Sequence, residues 1–141
     1  MVVIQNYLKE KFKMKFISKL AIVALLAVNS IAAQVTEITS LAQLQQLVNN
    51  NSRVVVKFYA NYCAPCKRYA PIFSDVSNNG IFKDVVFVQV NSETQNAIFK
   101  IYNVRSMPTT LVIRNGSVVN TFMGAKNYSD LQSLLRSALS L

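Results

Sequence analysis

Two cysteines occur in the 141 residues, standing together as Cys63-Ala64-Pro65-Cys66, and the chain has no histidine. Thiols two residues apart can close a disulfide only where the backbone turns, and the first turn of a helix supplies that turn. Pro65 suits such a place, because first-turn N–H groups have no intrahelical partner to lose. Cys63 at the helix start would face those N–H groups and the positive end of the helix dipole, which favour a thiolate. Cys66, one turn further in, is expected to be more buried and able to attack a mixed disulfide on Cys63. Other uses of this spacing fail on composition. Zinc needs two more Cys or His ligands, which the sequence lacks, so no metal is expected. Attachment of c-type haem needs histidine after the second cysteine, and Lys67 stands there. So short a ring removes little chain entropy, which makes thiol–disulfide exchange a better use of the pair than stapling.

The elements that must position these thiols follow from spacing and composition. Thr36–Ile38 is a possible short strand. Ser40 with Gln43 is a capping-box signal, and Leu41, Leu44, Leu47 and Val48 then recur at helical spacing until Asn49-Asn50-Asn51. The β-branched and aromatic run Val54–Ala60 reads as a buried central strand. A helix is expected from about Cys63 to Val76, kinked by Pro71 and stopped by Asn78-Asn79-Gly80. Val85–Asn91 is a second strong strand, followed by a helix over about 94–102. Thr109–Arg114 and Ser117–Met123 flank Asn115-Gly116, a strong hairpin signal. Leu131, Leu134, Leu135, Ala138 and Leu139 mark a final helix entered near Asn127 or Ser129. The order β-α-β-α-β-α-β-β-α predicts an α/β fold, a central mixed sheet with helices on both faces.

The start of the chain reads differently. Lys9, Lys11, Lys13, Lys15 and Lys19 against Glu10 give the first 32 residues +4 of the formal +9. The apolar run Leu20–Val28 and the small-x-small site Ser30-x-Ala32 follow. Together they read as a secretory signal peptide within residues 1–33, cleaved after Ala32 or Ala33 and starting at Met1 or Met14. A retained membrane anchor is the alternative. The apolar run is about half of the roughly 20 residues a spanning helix needs, so no stable membrane insertion is expected after cleavage. Residues 34–141 would then form one exported domain in an oxidising compartment, with the periplasm expected and secretion the alternative. Its net +5 is spread over ten basic residues from Arg53 to Arg136, with Lys67-Arg68 the only adjacent pair. No nucleic-acid partner is expected from that pattern, although Lys67 and Arg68 could steer acidic substrates.

The stretch Val54–Lys67 resembles the active-site strand and helix of the thioredoxin family. Ser106-Met107-Pro108-Thr109-Thr110 resembles that family's cis-proline loop, and Asn115-Gly116 and Gly124 fall at its hairpin turn and late glycine. The likeness spans roughly residues 36–139. It implies the thioredoxin fold, with Cys63 attacking, Cys66 resolving and the bond before Pro108 cis. Met107 would offer its backbone to an extended substrate, and Tyr62, Ala64 and Pro65 would form an apolar rim. Tyr59 is expected mainly to pack in the core. No cofactor beyond a Cys63–Cys66 disulfide is implied, and no dinucleotide or phosphate-binding motif occurs. The expected activity is protein-disulfide reduction by a monomer, acting on disulfides of other proteins and fed by a membrane electron-transfer partner. The alternatives are an oxidase or isomerase, or a binding or chaperone module of the same fold.

Departures from the family pattern bear on that direction. Tyr59 and Tyr62 stand where tryptophans are usual, and Ala64 where glycine is commonest. Lys57 takes the place of a buried aspartate that helps deprotonate the resolving cysteine, and Gln89 that of the aspartate's lysine partner. No carboxylate lies nearby in sequence, which leaves the usual proton relay in doubt. A cation there would stabilise thiolate and make the disulfide more oxidising. Desolvation could instead leave Lys57 neutral, or it could snorkel to water without effect. The lack of a histidine between the cysteines argues the other way, for a reductase.

Overall fold

The computed structural model describes residues 34–141; the leader and its cleavage site lie outside them. The strands are β1 (Thr36–Glu37), β2 (Arg53–Tyr59), β3 (Val86–Asn91), β4 (Thr109–Arg114) and β5 (Ser117–Met123). The helices are α1 (Leu41–Asn50), α2 (Ala64–Ser77), α3 (Asn96–Ile101) and α4 (Tyr128–Leu139), with a 3-10 turn at Gly80–Phe82. One sheet runs in the order β1-β3-β2-β4-β5. β2 and β1 pair with β3 in parallel, whereas β4 pairs antiparallel with β2 and β5. Parallel neighbours need helical crossovers, and α1 and α2 supply them.

Local chemistry sets the ends of these elements. Ser40 caps α1, its hydroxyl accepting from Gln43 N at 3.1 Å. Gln43 Oε1 returns the bond one residue earlier than a capping box would, accepting from Thr39 N at 2.8 Å. α3 is shorter than its sequence pattern suggested. Asn91 O accepts from Gln95 N at 2.8 Å and Asn91 Oδ1 from Glu93 N at 2.9 Å, so a turn takes up the residues before Asn96. The 3-10 turn, which no periodicity announced, buries Phe82. Asn115 and Gly116 have φ of 49° and 82°, the two left-handed residues that a tight type I′ hairpin requires. Asn127 caps α4 by accepting from Asp130 N at 2.8 Å.

Alternation along β2 divides the interior. Val54, Val56 and Phe58 pack with Leu44 and Val48 of α1 and Ile98 and Phe99 of α3. Val55 faces the other way, among Tyr69, Phe73 and Val76 of α2 and Leu131, Leu135 and Leu139 of α4. Helices therefore cover both faces, as the element order predicted. The same period-2 rule places Lys57 on the α2 side, level with the start of the helix that carries the cysteines. Leu135 is fully enclosed, so Leu135→Ala is expected to cost about 3 kcal/mol, read as a lowered urea midpoint. Val118→Ala, on the exposed strand β5, should leave the midpoint nearly unchanged.

Candidate active site

β2 ends at Tyr59, and the chain turns through Ala60-Asn61-Tyr62 into α2. Cys63 N donates to Ala60 O at 3.3 Å, and Asn61 N donates to Glu93 Oε2 at 2.8 Å, which ties this turn to the loop after β3. Cys63 is the N-cap of α2, and its Sγ accepts from Cys66 N at 3.3 Å. The two cysteines form a disulfide with a Cα–Cα distance of 5.2 Å. Cys66 is buried at 2% exposure, whereas Cys63 is half-buried. The outer sulfur is thus the one a partner can reach.

The loop before β4 closes on that sulfur. The Met107–Pro108 bond is cis, and Met107 O lies 3.8 Å from Cys63 Sγ. Pro108 is buried and its carbonyl accepts from Gly124 N at 2.8 Å, while Thr109 Oγ1 donates to Ser106 O at 2.8 Å. A cleft of about 370 Å³ runs alongside, with Tyr62, Phe99, Arg105 and Met107 in its lining. Tyr62 is 71% exposed, so its ring belongs to the rim and not to the core. Ala64 and Pro65 are exposed beside it. The sequence-predicted residues therefore come together around Cys63, except Lys57, which lies behind Cys66.

Lys57 is 3% exposed, so it does not snorkel to water. Its Nζ sits 5.1 Å from the centre of the Phe73 ring and 5.3 Å from that of Tyr59. Contacts of this kind contribute roughly 0.5–2 kcal/mol each. Burial pushes the ammonium down to about 8, and the charge of Glu37 opposes that fall. The group thus keeps a lowered but not abolished proton affinity.

Glu37 is the residue that sequence reasoning missed. Register explains its arrival: Glu37 pairs with Gln89, Gln89 with Lys57, and Lys57 with Thr110, forming one polar row across four strands of the sheet. Glu37 Oε2 accepts from Tyr59 Oη at 2.9 Å and from Gln89 Nε2 at 2.7 Å. Its Oε1 is enclosed, with no hydrogen-bond partner among the described residues. No carboxylate is near Lys57 in sequence, but the strand pairing brings Glu37 into its row in space. Tyr59, expected chiefly as packing, is half-buried and also a hydrogen-bond donor to that carboxylate. A second cleft, of about 220 Å³, has Cys66, Lys57, Tyr59, Lys67 and Gln89 in its lining.

The thioredoxin family profile matches residues 34–137. This chain belongs to the thioredoxin family. It is 39% identical over 99 residues to a thioredoxin of Mycoplasmoides gallisepticum, covering 70% of this chain and 97% of that protein. Thioredoxin 1 of Plasmodium falciparum is 37% identical over 98 residues, covering 70% and 91%. Among solved structures, the thioredoxin of Malassezia sympodialis superposes with a TM-score of 0.70 at 31% identity, covering 75% of this chain and 91% of that one. Family membership and the Cys63–Cys66 disulfide make the protein a thiol–disulfide oxidoreductase, acting on protein disulfides through the cysteine pair itself.

Burying a cation has a signature in stability. The folded-state value of Lys57, about 8, lies below its ordinary 10.5, so the folded protein binds fewer protons between these limits. The stability penalty is full below pH 8 and is relieved as pH rises. Tyr59 and Tyr69 are pushed up to about 12 by burial, so they act oppositely, weakening the fold only above pH 10. In the disulfide form, unfolding free energy should rise by about 2 kcal/mol from pH 7 to 10. Denaturant titrations across that range check this, and the rise should vanish in Lys57→Met.

Proposed function

We propose that the protein is an exported protein-disulfide reductase in which Cys63 attacks and Cys66 resolves. The observation that carries this reading is the asymmetry of the pair, with a reachable Cys63 sulfur beside the Met107 carbonyl and a buried Cys66 behind it. In the dithiol form the Cys63 thiolate attacks one sulfur of a substrate disulfide. A Cys63–substrate bond forms, the substrate S–S bond breaks, and the first substrate thiolate leaves and takes up a proton. The Cys66 thiolate then attacks Cys63 Sγ, closing the Cys63–Cys66 bond and expelling the second substrate thiolate. Two electrons and two protons pass from the cysteine pair to the substrate. An extended substrate segment would lie against Met107 and the cis Pro108, with Tyr62, Ala64 and Pro65 as its apolar surround.

The leader supports export, with the periplasm as the compartment, and an exported reductase needs a membrane partner to restore its dithiol. We take the working form to be a monomer. Lys57 favours the opposite, oxidising direction, because a cation behind Cys66 stabilises the dithiol form.

Insulin-reduction turbidity with dithiothreitol tests the chemistry. Cys63→Ser should abolish turnover, and Cys66→Ser should accumulate a mixed disulfide visible by intact mass; activity surviving Cys63→Ser would refute the mechanism. Trapping the cysteines with an alkylating reagent in cells reads the direction, since a mainly reduced pair marks a reductase. Export is read from the mature protein, whose mass should lack residues 1–32 or 1–33. An intact leader on the functional protein would overturn that part.

A further inference from the structure

The cleft beside Cys63 holds more than the apolar rim that the exchange chemistry uses. Its lining includes Lys100 and Arg105, and among the described residues Glu93 is the one carboxylate in it. Glu93 is already engaged, its Oε2 accepting from Asn61 N at 2.8 Å. A second hollow, of about 310 Å³, shares Val104, Arg105 and Ser106 with the first, so Arg105 lines both. Lys100 and Arg105 are exposed, and no carboxylate among the described residues pairs with either.

Local structure holds Arg105 in place. The chain leaves α3 through Asn103, whose φ of 53° is left-handed. Val104 N donates to Phe99 O at 2.8 Å and Asn103 N to Lys100 O at 3.1 Å, the paired bonds of a Schellman motif. Beyond this cap, Asn103 Oδ1 accepts from Arg105 Nε at 3.0 Å. With Nε held, the terminal nitrogens Nη1 and Nη2 present a fork that matches the two oxygens of a carboxylate. Lys100, in the last turn of α3, adds a second cation to the same cleft.

We propose that Arg105 and Lys100 form an acid-reading subsite that selects protein disulfides with Asp or Glu close in sequence to the cysteine that Cys63 attacks, and that Asn103 is the positioning residue for Arg105. The inference rests on the oxidoreductase reading and names the class of substrate that the same site prefers. Met107 O lies 3.8 Å from Cys63 Sγ, and Arg105 precedes Met107 by two residues in the lining of one cleft. An extended segment advances about 3.3 Å per residue, so a side chain two or three places from the attacked cysteine comes level with the guanidinium. A carboxylate there gains a two-pronged, charge-assisted contact, whereas an ammonium would meet two cations. Lys67 and Arg68, exposed on α2 just past Cys66, extend the same sign of charge around the outer sulfur.

The test uses the reduced protein and short peptides that differ only in the residues flanking a single cysteine, which are Glu, Ser or Lys. Each peptide carries its cysteine as a mixed disulfide with thionitrobenzoate. The Cys63 thiolate attacks the peptide sulfur and the coloured anion leaves, so stopped flow gives a second-order rate constant for each peptide. Dividing by the rate constant of 2-mercaptoethanol with the same peptide removes the effect of the flanks on the disulfide itself. The readout is the Glu-to-Lys ratio within each variant, in which a general loss of folding or of thiol reactivity cancels. Wild type should favour the Glu peptide about tenfold at low salt, with the Ser peptide between. Arg105→Gln should lower the ratio to about threefold, and Arg105→Gln with Lys100→Gln to below about twofold. Asn103→Gly keeps the left-handed cap but loses Oδ1, and should lower the ratio about twofold; an unchanged ratio there overturns the positioning role. A wild-type ratio of one overturns the subsite, as does a wild-type ratio kept in the double variant, which would assign the preference to the wider field of Lys67 and Arg68. Wild-type protein that releases no anion from any peptide refutes the oxidoreductase reading itself.

Discussion

A cation in the middle of a central strand is the constraint around which the interior of this domain is arranged. Every other inward position of β2 is apolar, and an ammonium in such a place must be partnered, hydrated or discharged. Lys57 is met on three sides: aromatic rings of Tyr59 and Phe73, the field of Glu37 in the same sheet row, and the small cleft toward Cys66. Each is partial, which is why the group ends at about 8, between the exposed value of 10.5 and full neutralisation.

The sheet order decides which charges can meet. Because β3 lies between β1 and β2, Glu37 on the edge strand meets Gln89 of β3 and reaches past it to the Tyr59 hydroxyl at the end of β2. The Gln89 amide donates to Glu37 without adding charge, so the acid and the base stay separated by one strand. An aspartate on β2 with a lysine on β3, the pattern common in this family, would bring opposite charges one strand closer. Here the base holds the central position and the acid is displaced to the edge.

On the outer face a different economy holds. Cys63 is the N-cap of its helix, Met107 comes from a loop 44 residues later, and the exposed Tyr62 shares a cleft with Met107. None of these contacts buries much surface. The α2 core side chains Tyr69, Phe73 and Val76 do that work, anchoring the helix so that its N-terminus keeps its place against the Met107 loop. Stability and reactivity are divided along one helix, with the buried stripe holding the exposed first turn in position.

Much of this was legible in residue order. Cys63 and Cys66, the hairpin at Asn115-Gly116, the cap at Ser40 and the alternating helices and strands are all local patterns, and local patterns carry over into local structure because their energetics involve near neighbours. The limits appear where distance along the chain is large. The shortened α3 depended on Asn91 side-chain and carbonyl bonds that compete with helix formation. Glu37 was visible as part of a short expected strand, but a two-residue strand has no periodicity from which register can be read. By itself, then, the sequence determined the thiol pair, its helix and the anomaly of a lysine in an apolar strand. Only the tertiary structure decided what that lysine faces, because the strand pairing that brings Glu37 into its row is set by packing of the whole sheet.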